Sequence, residues 1–122
     1  MAIIHTLTPQ DVIRHDPGPV AGIYRDHGGQ AARIVRKRLA ALALETAKAA
    51  DLEKQRDLEA LPARLRQIAG MAADLGLLSL ADAAAAAEHH LGGVAFPALW
   101  ARVLRLTEAA LNPASDLLQA QQ

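Results

Sequence analysis

The sequence predicts an all-α fold: an antiparallel up-down-up-down four-helix bundle with short N-terminal helices packed across it. Composition comes first. Ala fills 28 positions and Leu 19, whereas Phe, Trp and Tyr occur once each, a balance that suits helix interiors and starves β-strands. Apolar residues also recur at steps of three and four over four long segments, with Gly or Pro punctuating most of the gaps. A chain of 122 residues argues for one domain, its core over about 10–112. With 52% hydrophobic residues it can bury roughly two thirds of its unfolded surface.

The elements follow in order. Thr8-Pro9-Gln10-Asp11 reads as a short helix start, with Thr8 as N-cap and Pro9 at the first helical position. Asp16-Pro17-Gly18-Pro19 stops it, because the residue before a Pro is pushed out of the α region. A second short helix starts near Pro19 and ends at Gly28-Gly29. From Gln30 a long helix is expected to bury Val35, Leu39, Leu42, Thr46 and Ala49, with Ile34 and Leu44 widening the stripe. Its other face carries Arg33, Arg36, Lys37, Arg38, Glu45 and Lys48 and is expected to be solvated. No Gly marks the turn that follows, placed near Arg56-Asp57. Leu58, Leu61, Leu65, Ile68, Ala72 and Leu75 then step by three and four along the core face of the next helix. Pro62 is tolerated in its first turn and Gly76 caps its end.

Ser79-Leu80-Ala81-Asp82 resembles a capping box and opens an alanine-rich helix that runs to Leu91, before Gly92-Gly93. The last helix starts near Pro97. It is expected to bury Leu99, Trp100, Val103, Leu104, Leu106 and Leu111 and to break at Asn112-Pro113. The heptads last too briefly in each segment for an extended coiled coil, so a monomeric bundle is the expectation.

Function classes narrow quickly. Thirteen basic residues balance thirteen acidic ones, which speaks against nonspecific nucleic-acid binding. Without Cys there is no disulfide framework, thiol nucleophile or Cys-based zinc site. No segment reads as a leader or a membrane span, so a soluble cytoplasmic protein without membrane contact is expected. Neither a phosphate-binding glycine loop, an H-E-x-x-H run nor a G-x-S-x-G elbow occurs, so no enzyme activity and no cofactor are predicted. His89 and His90 are adjacent and point about 100° apart on a helix, so with Glu88 they make a poor metal site. At a helix C-terminus they instead suit the negative end of the dipole.

Gly70 is the informative residue. It sits mid-helix, where Ala is better by about 1 kcal/mol and no turn is wanted. It shares a face with Arg66 and Ala73, flanked by Pro62 and Ala69, off the Leu65, Ile68 and Ala72 stripe. Two explanations are open: a neighbouring short helix, such as the N-terminal one, packed closely there, or a docking surface made of Pro62, Arg66, Gln67, Ala69, Gly70 and Ala73.

The run from Asp57 to Gly70, then Leu75-Gly76, Leu80 and Glu88, resembles the histidine phosphotransfer (HPt) domains of bacterial phosphorelays. Those domains carry H-x-L-K-G on the second bundle helix, a Leu-Gly pair closing that helix, and a Leu and a Glu on the third. The resemblance spans residues 10–112 and implies a four-helix bundle whose partner is a receiver domain or a histidine kinase. It departs at the decisive place. Arg66 stands where the family has its phosphorylated His, and Ala69 where it has Lys, while Ile68 and Gly70 keep the apolar and glycine positions. A guanidinium offers five donors and no lone pair, so Arg66 cannot accept a phosphoryl group as imidazole does. Sliding the register to His89-His90-Leu91-Gly92-Gly93 fails, since Pro97 follows within two turns and too few residues remain for two further helices.

The resemblance therefore implies an HPt-like protein that binds a receiver or a kinase without carrying phosphate, with Arg66 pairing to receiver carboxylates or the phosphoryl group. Charge segregation fits an acidic partner: residues 31–66 hold nine basic against five acidic side chains, and residues 67–122 two against five. The alternative is a helical assembly or scaffold protein that dimerises through its small-residue face. A kinase-type dimerisation core also uses paired helices, but the chain has no ATP-binding domain.

Overall fold

The computed structural model describes residues 13–112, which are mostly helical, with short irregular stretches at 13–16 and between helices and no strand among them. The expected helix start at Thr8-Pro9-Gln10-Asp11 and the tail from Pro113 lie outside the described residues. Five α-helices run in order: α1 (Gly18–His27), α2 (Ala31–Lys54), α3 (Leu61–Asp74), α4 (Leu78–His89) and α5 (Phe96–Leu111), with a 3-10 turn at Gly28–Gln30 between the first two. Helix α3 packs on α2 and α4, α5 on α4 and α2, and α1 on α2. No helix of the described residues is long and apolar enough to cross a membrane.

The residues that start and stop these helices have local causes. The Asp16 carboxylate accepts the N–H of Gly18 at 2.9 Å as α1 begins, and Gly28 ends α1 at φ +52°. Between α2 and α3 the chain turns at Arg56, which takes φ +59° without being glycine. That explains why the expected turn at Arg56-Asp57 carries no glycine signal. Asp57 then accepts the N–H of Ala60 through its carboxylate, and Pro62 sits in the first turn of α3, where a missing N–H costs nothing.

Two apolar clusters fill the interior. The larger joins Leu42 and Ala49 of α2 to Leu61, Leu65, Ile68 and Ala72 of α3, the α4 alanines Ala83, Ala84 and Ala87, and Trp100 and Val103 of α5. Each large side chain so buried contributes about 1.5–3 kcal/mol. A smaller cluster gathers Val20 and Ile23 of α1 against Val35, Leu39, Leu75 and Ala110.

Several expectations need correction. Leu44 is 58% exposed and does not widen the α2 stripe; Ile34 is half-buried. Leu58 precedes α3 and is exposed, as are Leu104 and Leu111 on α5, while Leu99 is half-buried. Leu44, Leu104 and Leu111 lie on helix flanks and Leu58 in the turn before α3, whereas Leu99 still packs against the main core. Glu45, expected in solvent, is buried. Ser79 is not a cap: α4 begins one residue earlier, and the Ser79 hydroxyl instead accepts the backbone N–H of Arg14 at 2.6 Å. The same helix stops at His89 rather than Leu91, with the chain turning at Gly92, φ +82°.

Candidate functional site

Helix α3 turns its Leu61, Leu65, Ile68 and Ala72 side inward, so at 100° per residue the opposite surface carries Ala63, Arg66, Gln67, Gly70 and Ala73. All five are exposed. An arginine on each flank braces this surface. On the α2 flank, Arg64 Nη1 donates to Glu45 Oε2 at 2.8 Å; the Glu45 side chain is 10% exposed and that of Arg64 42%. On the α4 flank, Arg66 Nη1 donates to Glu88 Oε2 at 2.5 Å, with side chains 64% and 25% exposed. The first pair is sunk between helices. The second lies at the rim, where solvent screens it.

Gly70 sits at the middle of this surface. A Cβ built there meets no other described residue within 4 Å, so among the described residues neither close packing nor positive φ accounts for the glycine. Helix α1 packs elsewhere, on α2, through Val20 and Ile23, and the other short helix expected, from Thr8-Pro9-Gln10-Asp11, lies outside the described residues. Of the six residues expected to form a docking surface, Arg66, Gln67, Gly70 and Ala73 stand exposed on one face of α3. Pro62 and Ala69 are half-buried at its edge, and Ala69 packs against the main core. The surface is therefore narrower than the sequence suggests.

Gly76, just beyond α3, has a different reason to be glycine. It takes φ +75°, it is buried, and a Cβ there would run into the backbone carbonyl of Asp16. The contact belongs to a clasp in which residues 14–16 lie along the α3–α4 turn. Asp16 N–H donates to the Gly76 carbonyl at 2.8 Å, and Ser79 N–H to the Arg14 carbonyl at 3.3 Å. The Arg14 guanidinium pairs with Asp82. Beside the clasp, Ala83, Ala86, Leu99 and Arg102 line an open cleft of about 210 Å³ with Arg14, Ser79 and Asp82. Its Arg14, Ser79 and Asp82 groups bond one another, so the clasp consumes them structurally.

Sequence reasoning missed three of these features. The burial of Glu45 had a signal: it falls between Leu42 and Ala49 on the edge of the α2 stripe, with Arg64 on the next helix able to meet it. Glu88 was grouped with His89 and His90, but it turns to Arg66 instead. The two imidazoles are exposed and meet each other edge to face at 5.0 Å. The Arg14–Ser79 clasp joins residues 65 positions apart and had no local signal. No group of three or more His, Asp or Glu able to hold a metal ion comes together among the described residues.

No protein-family model, curated protein or solved structure matches the chain.

Proposed function

We propose that the chain is an antiparallel four-helix bundle of the histidine phosphotransfer kind, and that it docks a receiver or histidine-kinase domain on α3 without carrying phosphate. The observation that carries this reading is Gly70: an exposed mid-helix glycine, one turn from an exposed arginine, that no packing or backbone demand among the described residues explains. A side chain there would stand in the way of a partner. Arg66, at the place of the family's phosphoacceptor, provides donors for the carboxylates or phosphoryl group of a receiver site. Helices α2, α3, α4 and α5, each packed on the next and α5 back on α2, suit an up-down-up-down bundle. Arg33, Lys37 and Arg38 stand exposed along α2 and favour approach of an acidic surface. A cytoplasmic, non-catalytic, monomeric adaptor goes with this role.

Amide chemical-shift mapping tests it. Purified receiver domains of the source organism are titrated into labelled protein, and the perturbed resonances are expected to cluster on Ala63, Arg66, Gln67, Gly70 and Ala73. Perturbations confined to α1 or α5 would overturn the assignment of the surface. A concentration-dependent dimer by light scattering that buries the same residues would replace it with the assembly reading.

A further inference from the structure

We propose that Glu88 is a built-in competitor for Arg66 that makes docking selective for a phosphorylated partner; this rests on the phosphorelay reading above. The geometry is asymmetric. Glu88 is the more enclosed member of the pair, and it holds the Arg66 guanidinium by a charge-assisted bond between α4 and α3. Most of the arginine is exposed, and a guanidinium has further N–H groups with which to donate to a second anion.

Two kinds of anion fare differently at such a site. A partner carboxylate brings one charge to a guanidinium already neutralised by Glu88, and it meets that carboxylate's repulsion. It exchanges one monoanion for another and gains little. The phosphoryl group of an aspartyl phosphate brings nearly two charges and three acceptor oxygens, enough to engage several donors of the fork at once. It can displace Glu88 or bind over it. Because the internal pair lies at the rim and is weak, displacement is inexpensive for the dianion, yet the pair still handicaps the monoanion. Glu88 thus sets the threshold, and Arg66 provides the contact.

The test compares one purified receiver domain in two forms, unmodified and loaded with beryllium trifluoride as a mimic of its phosphoryl group. Affinities are measured for the wild-type chain, Glu88→Gln and Arg66→Gln. The wild type is expected to prefer the loaded form. Glu88→Gln is expected to tighten binding of the unmodified receiver about twofold and to narrow the preference, since an exposed pair is worth roughly that factor. Arg66→Gln is expected to weaken the loaded complex and erase the preference. An unchanged or widened ratio in Glu88→Gln, with wild-type binding intact, overturns the role of Glu88 alone. If the wild type binds no receiver in either form, the phosphorelay reading falls and this inference falls with it.

Discussion

Gly70 and Gly76 lie close together in sequence, one in the last half of α3 and one just past its end, and the fold treats them in opposite ways. Gly76 is locked in: its φ is positive, its backbone is buried, and the Asp16 carbonyl occupies the space a side chain would need. A Cβ on Gly70 would meet none of the other described residues. The same contrast divides the two arginines of α3. Arg64 neutralises a carboxylate buried against α2, whereas Arg66 meets a carboxylate at the open rim of α4. In each pair one residue is accounted for by folding. The other two, Gly70 and Arg66, are neighbours on a single exposed surface. On the function proposed above, this surface is the one a partner meets.

The largest effect expected from this contrast is at Gly76. Gly76→Ala places a Cβ against the Asp16 carbonyl in a backbone region that L-residues disfavour, and is expected to cost about 2–4 kcal/mol in denaturant unfolding. Gly76→Ala with unaltered stability would mean that the clasp between residues 14–16 and the α3–α4 turn does not form.

Arg64→Ala comes next. It strands the Glu45 carboxylate between α2 and α3, and because Arg64 itself is partly solvated, the expected loss is about 1–2 kcal/mol rather than the larger figure for a fully buried pair. Arg66→Ala, measured alongside, is expected to change stability by less than about 0.5 kcal/mol. Equal losses at both positions would erase the distinction between the two flanks of α3.

Gly70→Ala carries a smaller expected change than Arg64→Ala and the most telling sign. Filling open space on an exposed helix with a better helix former is expected to stabilise the protein by about 0.5–1 kcal/mol. Gly70→Leu is expected to fold comparably and to bind a receiver less well. Destabilisation by either variant would show that something packs over Gly70 after all.

Much of this architecture is readable in advance. Val35, Leu39, Leu42, Thr46 and Ala49, and then Leu61, Leu65, Ile68, Ala72 and Leu75, are buried as their spacing requires, because a helix buried on one side imposes its period on the sequence. The exposure of Arg66 and Gly70 follows from the same geometry. What spacing cannot convey is where one helix face ends and the next neighbour begins. Leu44, Leu104 and Leu111 are as apolar as their buried counterparts, yet they sit on flanks left uncovered. Glu45 is the converse case, a charged residue carried inside because a partner 19 residues away meets it. Ser79 shows how a local motif misleads: its hydroxyl serves the backbone of Arg14, a contact that only the tertiary fold creates.

The central claim is that α3 offers a landing surface for a phosphorelay partner while its key position can no longer accept phosphate. A receiver domain carrying radiolabelled phosphate, mixed with the chain and separated under non-acidic conditions, tests both halves at once. The expected result is that no label moves to the chain, that a complex is nevertheless detected, and that Arg66→Ala weakens that complex. Acid-labile phosphate on any histidine of the chain, or a complex indifferent to Arg66→Ala, would contradict the account.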